Sequence, residues 1–90
     1  MEHLHYPIDA QDNDQVEVTI DRAANVQLLD SVNYEHYRQG RSFRYEGGYA
    51  TVTPVRLTVP RAGRWHVVID HGGGAGRVKA SVRHLSGAVA

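Results

Sequence analysis

The sequence predicts an all-β fold: a small antiparallel β-sandwich, jelly-roll-like or a partly closed barrel, with at most one short helix near residues 31–39. Three observations predict it. Apolar residues recur at every second position over most of the chain, the period of a strand with one buried face. Turn chemistry interrupts these runs at a spacing of roughly ten residues, as in sandwiches and barrels. The long amphipathic crossovers that parallel βαβ units require are missing.

Taken in order, Leu4 and Tyr6 point one way while His3 and His5 point the other, and Pro7 caps this first strand because it has no N–H for a central ladder. A polar turn over 9–14 leads to Val16, Val18 and Ile20, which alternate with Glu17 and Thr19. After a turn at 21–25, Val26 and Leu28 form a shorter strand. The period breaks at 30–40. Either Asp30 or Ser31 caps a helix of one or two turns that places Tyr34 and Tyr37 on one side and stops at Gly40, or the segment is an irregular loop. Phe43 and Tyr45 begin another strand, and Gly47-Gly48 marks a turn or bulge. Val55, Leu57 and Val59, then Trp65, Val67 and Ile69, flank Pro60-Arg61-Ala62-Gly63 and read as an antiparallel hairpin. Val68 on the opposite face marks the second arm as an inner strand. His71–Gly76 is a connector, and Val78, Ala80 and Val82 form the last strand. The expected core is Leu4, Val16, Val18, Ile20, Val26, Leu28, Val55, Leu57, Val59, Trp65, Val67, Ile69, Val78 and Val82. Residues 1–85 form the single domain and 86–90 a flexible C-terminal tail.

The quotable stretches are His3-Leu4-His5-Tyr6, Asn25-Val-Gln-Leu-Leu-Asp30 with Asn33, Tyr37 and Gly40, Tyr45-Glu-Gly-Gly48, Pro54-Val-Arg-Leu57, and Arg64-Trp-His-Val-Val-Ile-Asp70 followed by glycines. Their order and spacing over residues 2–85 resemble a bacterial family, the domain of unknown function 1883. The resemblance implies a compact β-sandwich module, found alone or attached to TIR-type signalling domains. It carries no established activity and no agreed site residues, and nothing in this chain resembles the TIR portion.

Composition narrows the function. Ten Lys and Arg balance ten Asp and Glu, which argues against a surface built wholly for phosphate backbones or anionic membranes. There is no cysteine, so disulfides, zinc–thiolate sites and cysteine nucleophiles are excluded. No apolar run spans a membrane and MEHLHY lacks the pattern of a secretory leader, so a cytoplasmic location is expected. The charges are segregated: residues 1–37 hold eight acids and one base, and 38–90 hold nine bases and two acids. Such halves either interleave across neighbouring strands, the favoured outcome, or form opposite faces that associate copies head to tail.

Three sites follow. Arg38, Arg41 and Arg44 stand beside Tyr45 and Tyr49, a composition that holds an anionic group bidentately and stacks a ring against it. Tyr34, Tyr37 and Phe43 are expected to pack inward, leaving Tyr45 and Tyr49 exposed. The leading function is therefore a non-catalytic binding or adaptor module in bacterial signalling or regulation, taking a protein partner or small anionic ligand through residues 34–49; nucleic acid is disfavoured and no cofactor is expected. The alternative is a histidine-centred metal-binding or hydrolytic site on His3, His5 and His66, since two imidazoles two residues apart on a strand share a face. The third is an oligomerisation module using the acidic and basic faces. Glycines 72–76 do not precede a helix, so a phosphate loop is disfavoured, and no Ser/His/Asp arrangement can be placed.

Overall fold

The computed structural model describes residues 3–72 and 77–87. Seven strands and one helix follow in the order β1 (Leu4–Ala10), β2 (Gln15–Ile20), β3 (Ala24–Asp30), α1 (Ser31–Arg38), β4 (Glu46–Ala50), β5 (Val55–Thr58), β6 (Gly63–Asp70) and β7 (Ala80–Leu85). They build a four-stranded sheet in the order β1-β6-β3-β4 and a three-stranded sheet in the order β5-β2-β7. Every pairing is antiparallel, and the sheets pack as an open sandwich rather than a barrel.

The interior follows the predicted faces. Val16, Val18 and Ile20 of β2 meet Val26, Leu28, Trp65, Val67 and Ile69 of the larger sheet, joined by Leu57, Val59 and Val78. Leu4, Val55 and Val82 pack against this cluster half-buried, and Ala10 and Ala24 complete it. A second cluster on the outer face of the larger sheet consists of Leu29, Val68 and Tyr37, with Tyr34 and Phe43 against them. It exists because α1 lies on that face. β3 and β6 are therefore buried on both sides, so β6 is the inner strand that Val68 marked.

α1 begins and ends where its sequence dictates. The Asp30 carboxylate accepts the Asn33 N–H at 2.8 Å, satisfying one first-turn amide. At the other end Gly40 takes φ +72°, Gly40 N–H bonds the Tyr37 carbonyl and Arg41 N–H bonds the His36 carbonyl, a left-handed cap that glycine enters without strain.

Five expectations differ from the structure. Pro7 lies inside β1 rather than ending it, opposite His66; β1 is an edge strand, where a missing N–H faces solvent at no cost. β3 is a full seven-residue strand, because β4 and β6 pair with both its edges. Residues 41–45 are not strand, since Phe43 turns in to meet Tyr37 edge-on at 5.2 Å between ring centroids. Gly47 and Gly48 lie within β4 at φ +107° and +155°, and a Cβ on Gly47 would collide with the Val26 carbonyl oxygen. β5 and β6 do not form a hairpin: β5 pairs with β2 in one sheet and β6 with β1 and β3 in the other. Pro60–Gly63 is a corner between sheets, and it lets the inward faces of Leu57 and Trp65 oppose each other across the core.

Gly73–Gly76 of the connector and residues 88–90 of the tail lie outside the described residues. Gly87 is held in place, its N–H donating to Asp14 Oδ1 at 2.8 Å.

The charged halves interleave. Arg56 of β5 and Arg83 of β7 both reach Glu17 on the central strand between them, at 3.0 and 3.3 Å. Arg64 pairs with Asp9 across β6 and β1 at 3.0 Å, and Arg61 with Asp30 at 2.7 Å.

Candidate functional site

Two places gather polar chemistry. The first is a groove with a volume of about 420 Å³ between the start of α1, the segment leading into β4, and the β5–β6 corner. Leu28 and Trp65 lie beneath it, and Asp30, Asn33, Arg44, Glu46 and Arg61 line it. Trp65 is only 5 % exposed, its indole N–H donating to the Arg61 carbonyl at 2.9 Å while the Arg61 guanidinium lies 4.9 Å above its ring. The Asn33 side chain accepts the Arg44 backbone N–H at 2.7 Å, which fixes the loop beside the helix. Burial works against ionised Asp30, yet hydrogen bonds from Asn33 and Arg61 outweigh it and hold the carboxyl below its usual range.

The second lies on the outer face of the larger sheet, under α1. The period of two puts His5 of β1, His66, Val68 and Asp70 of β6, and Asn25, Gln27 and Leu29 of β3 on one side, with His3 just before β1. His5 Nε2 lies 2.7 Å from His66 Nδ1, and His66 Nε2 lies 2.9 Å from Ser31 Oγ at the first position of α1. Tyr34, one helical turn further on, stacks on both imidazoles, 19° from the plane of His5 and 7° from that of His66, and its hydroxyl meets His3 Nε2 at 3.1 Å. One more turn along, the Tyr37 hydroxyl donates to Asp70 Oδ2 at 2.6 Å, while Asn25 and the Gly72 N–H donate to Oδ1. Burial alone would raise the Asp70 pKa, but these donors hold it low, and burial followed by the Asp70 bond pushes the Tyr37 phenol up. Burial is also the first cause that lowers His5 and His66, with each pushed further down by a neighbouring histidine and an arginine.

The sequence-predicted arginines are divided by this arrangement. Arg44 and Tyr45 line the groove; Arg38 and Arg41 line a separate hollow with Tyr37, Gln39, Gly40 and Phe43; Tyr49 lies on β4 outside both. Arg38 is paired with Glu35 at 2.8 Å, and the Arg41 side chain reaches Gln39 at 3.4 Å. Tyr45 and Tyr49 are the exposed aromatics, at 46 % and 68 %.

The three predicted histidines do come together, with ring centroids 6.3 Å apart for His3–His5 and 5.0 Å for His5–His66. The facing nitrogens of His5 and His66 bond each other. Two nitrogens sharing a tetrahedral zinc stand about 3.3 Å apart, given Zn–N bonds of about 2.0–2.1 Å, so a shared metal there requires the rings to separate. Among the described residues no group of three or more His, Cys, Asp or Glu is arranged to hold a metal ion.

Sequence reasoning missed Ser31 and the stacking role of Tyr34. The signal was present in the spacing of Ser31, Tyr34 and Tyr37, one face of a helix, but their partners are set by strand register 29 or more residues away in sequence.

These features define the class: a small open β-sandwich with one helix docked on an outer face over a histidine–tyrosine network. A family model matches residues 1–87, nearly the whole chain, and the protein belongs to that family, described as Domain of unknown function (DUF1883). It has no match among curated proteins and none among solved structures. No helix among the described residues is long and apolar enough to cross a membrane.

Proposed function

We propose that the groove beside Arg44 is a non-catalytic binding site by which this domain attaches to an acidic segment of a partner protein, as an adaptor in bacterial signalling or regulation. The observation that carries this reading is Arg44 itself. Arg56, Arg61, Arg64 and Arg83 each meet a carboxylate, whereas the Arg44 guanidinium lines an open groove with no ion pair among the described residues. A guanidinium presents a planar fork of donors suited to a carboxylate or phosphate. Leu28 and Trp65 beneath it favour an apolar neighbour in the bound segment, and Glu46 and Asn33 offer acceptors to its backbone amides. Arg38 and Arg41 line a separate hollow, where Arg38 is already paired with Glu35.

Trp65 is the only tryptophan and lines the groove, so intrinsic fluorescence reads occupancy directly. Titration with an acetylated Asp/Glu peptide, and with inorganic phosphate, should give a saturable change that weakens with salt. Arg44→Glu should abolish it, while Arg56→Glu, on the opposite sheet, should leave it intact. No saturable response to either probe, or one undiminished in Arg44→Glu, refutes the reading.

A further inference from the structure

From the Ser31–His66–His5 chain we infer a second, independent site: Ser31 is an activated nucleophile that accepts acyl groups from ester substrates. Ser31 is exposed, at the first position of α1, while His66 is 8 % exposed and bonded at both ring nitrogens. Two arrangements of protons satisfy the chain with neutral rings, one the reverse of the other, and activation of the serine uses the following one. The Ser31 hydroxyl donates to His66 Nε2, His66 Nδ1–H donates to His5 Nε2, and His5 Nδ1 carries its own proton. This leaves His66 Nε2 as an unprotonated base 2.9 Å from a hydroxyl, within the reach general-base catalysis demands. His5 is the positioning residue, holding the tautomer that a buried carboxylate holds in a Ser-His-Asp triad. Tyr34, stacked on both rings, fixes their planes.

The groups facing the pair are accounted for on every packed element. From the residue before β1 comes His3, from β6 Arg64, from α1 Glu35 and Arg38, and from the end of β3 Asp30, whose carboxylate is already engaged by Arg61 and Asn33.

The step balances as follows. Ser31 Oγ bonds the ester carbonyl carbon while its proton passes to His66 Nε2. The carbonyl re-forms, the carbon–oxygen bond to the alcohol breaks, and that alcohol takes the proton from His66. Water repeats the sequence on the acyl-serine and releases the carboxylic acid.

The test is covalent labelling of the full chain with a fluorophosphonate, which forms a serine–phosphorus bond and expels fluoride, followed by mass mapping of the adduct. A single adduct on Ser31 is expected, absent in Ser31→Ala. His66→Gln, its fold checked by Trp65 fluorescence, should slow labelling by about 10²–10⁴-fold. His5→Gln should shift the pH dependence of the rate rather than only its size. Should His66→Gln not fold, the native protein still decides: its labelling rate must fall as pH drops from 8 to 5 and His66 takes up a proton. No adduct on Ser31, an equal rate in folded His66→Gln, or a flat pH profile overturns the assignment.

Discussion

Asp14 shows how much one side chain can organise. It is 5 % exposed and binds three partners, one in its own turn and two at the end of β7: the Gln11 N–H at 2.9 Å, the Gly87 N–H at 2.8 Å and His84 Nε2 at 2.7 Å. Its own backbone carbonyl takes the Val59 N–H, so the β1–β2 turn is tied to the ends of both β5 and β7. The Gln11 amide first, then Gly87 and His84, hold its pKa down to about 2 against an ordinary 3.8. A carboxylate with a lowered folded pKa contributes stability that is complete above its unfolded value and lost as pH falls through the folded one. Asp14→Asn should therefore be less stable than the native chain at pH 7, with the gap in thermal midpoint closing between pH 4 and pH 2. A gap that stays constant over that window would show that the charge contributes nothing. The sequence placed Asp14 in a polar turn and no further, because a hydrogen-bonding hub is defined by partners 70 or more residues away.

At the scale of elements, alternation told which face each residue takes but not which strand lies beside which. Val26, Leu28, Trp65, Val67 and Ile69 were legible as core from their spacing alone, and α1 from Asp30 and Gly40. The β5–β6 corner was not, because Pro60 and Gly63 serve a hairpin turn and a crossing between sheets equally well. Val68 on the opposite face pointed to an inner strand, but Leu29 had no such signal, and the docking of α1 is what joins the two in a second core. That docking rests on neutral imidazoles, since Tyr34 stacks on His5 and His66 and both rings sit below their ordinary pKa. The unfolded chain then binds more protons than the folded one below about pH 6.5, so stability is full above that value and declines as pH falls beneath it. Thermal midpoints measured from pH 7.5 to 5 should drop, and His5→Gln should flatten the drop by removing one of the two titrating rings. An unchanged slope in His5→Gln would mean that the helix does not depend on this pair.

For the molecule as a whole, the division of charge along the chain is a device of assembly within one copy. Apart from Glu35–Arg38 at their boundary, an acidic first half and a basic second half meet through contacts distant in sequence, and β2 between β5 and β7 is one place where they do. Glu17 receives Arg56 from one neighbour and Arg83 from the other, so a single carboxylate marks the correct strand order in the smaller sheet. The arginines are more than half exposed, which keeps each pair weak, roughly 0.2–1 kcal/mol, and sensitive to salt. Glu17→Gln should thus lower stability by no more than about 2 kcal/mol for the two pairs together, as read by denaturant unfolding at low ionic strength. In 1 M NaCl the difference should shrink toward zero, because the Debye length there is about 3 Å. Arg56, Arg61, Arg64 and Arg83 thus meet their carboxylates within one copy, on its surface. The native chain should accordingly sediment as a monomer at both salt concentrations, and salt-dependent association would return the acidic and basic faces to a role between copies.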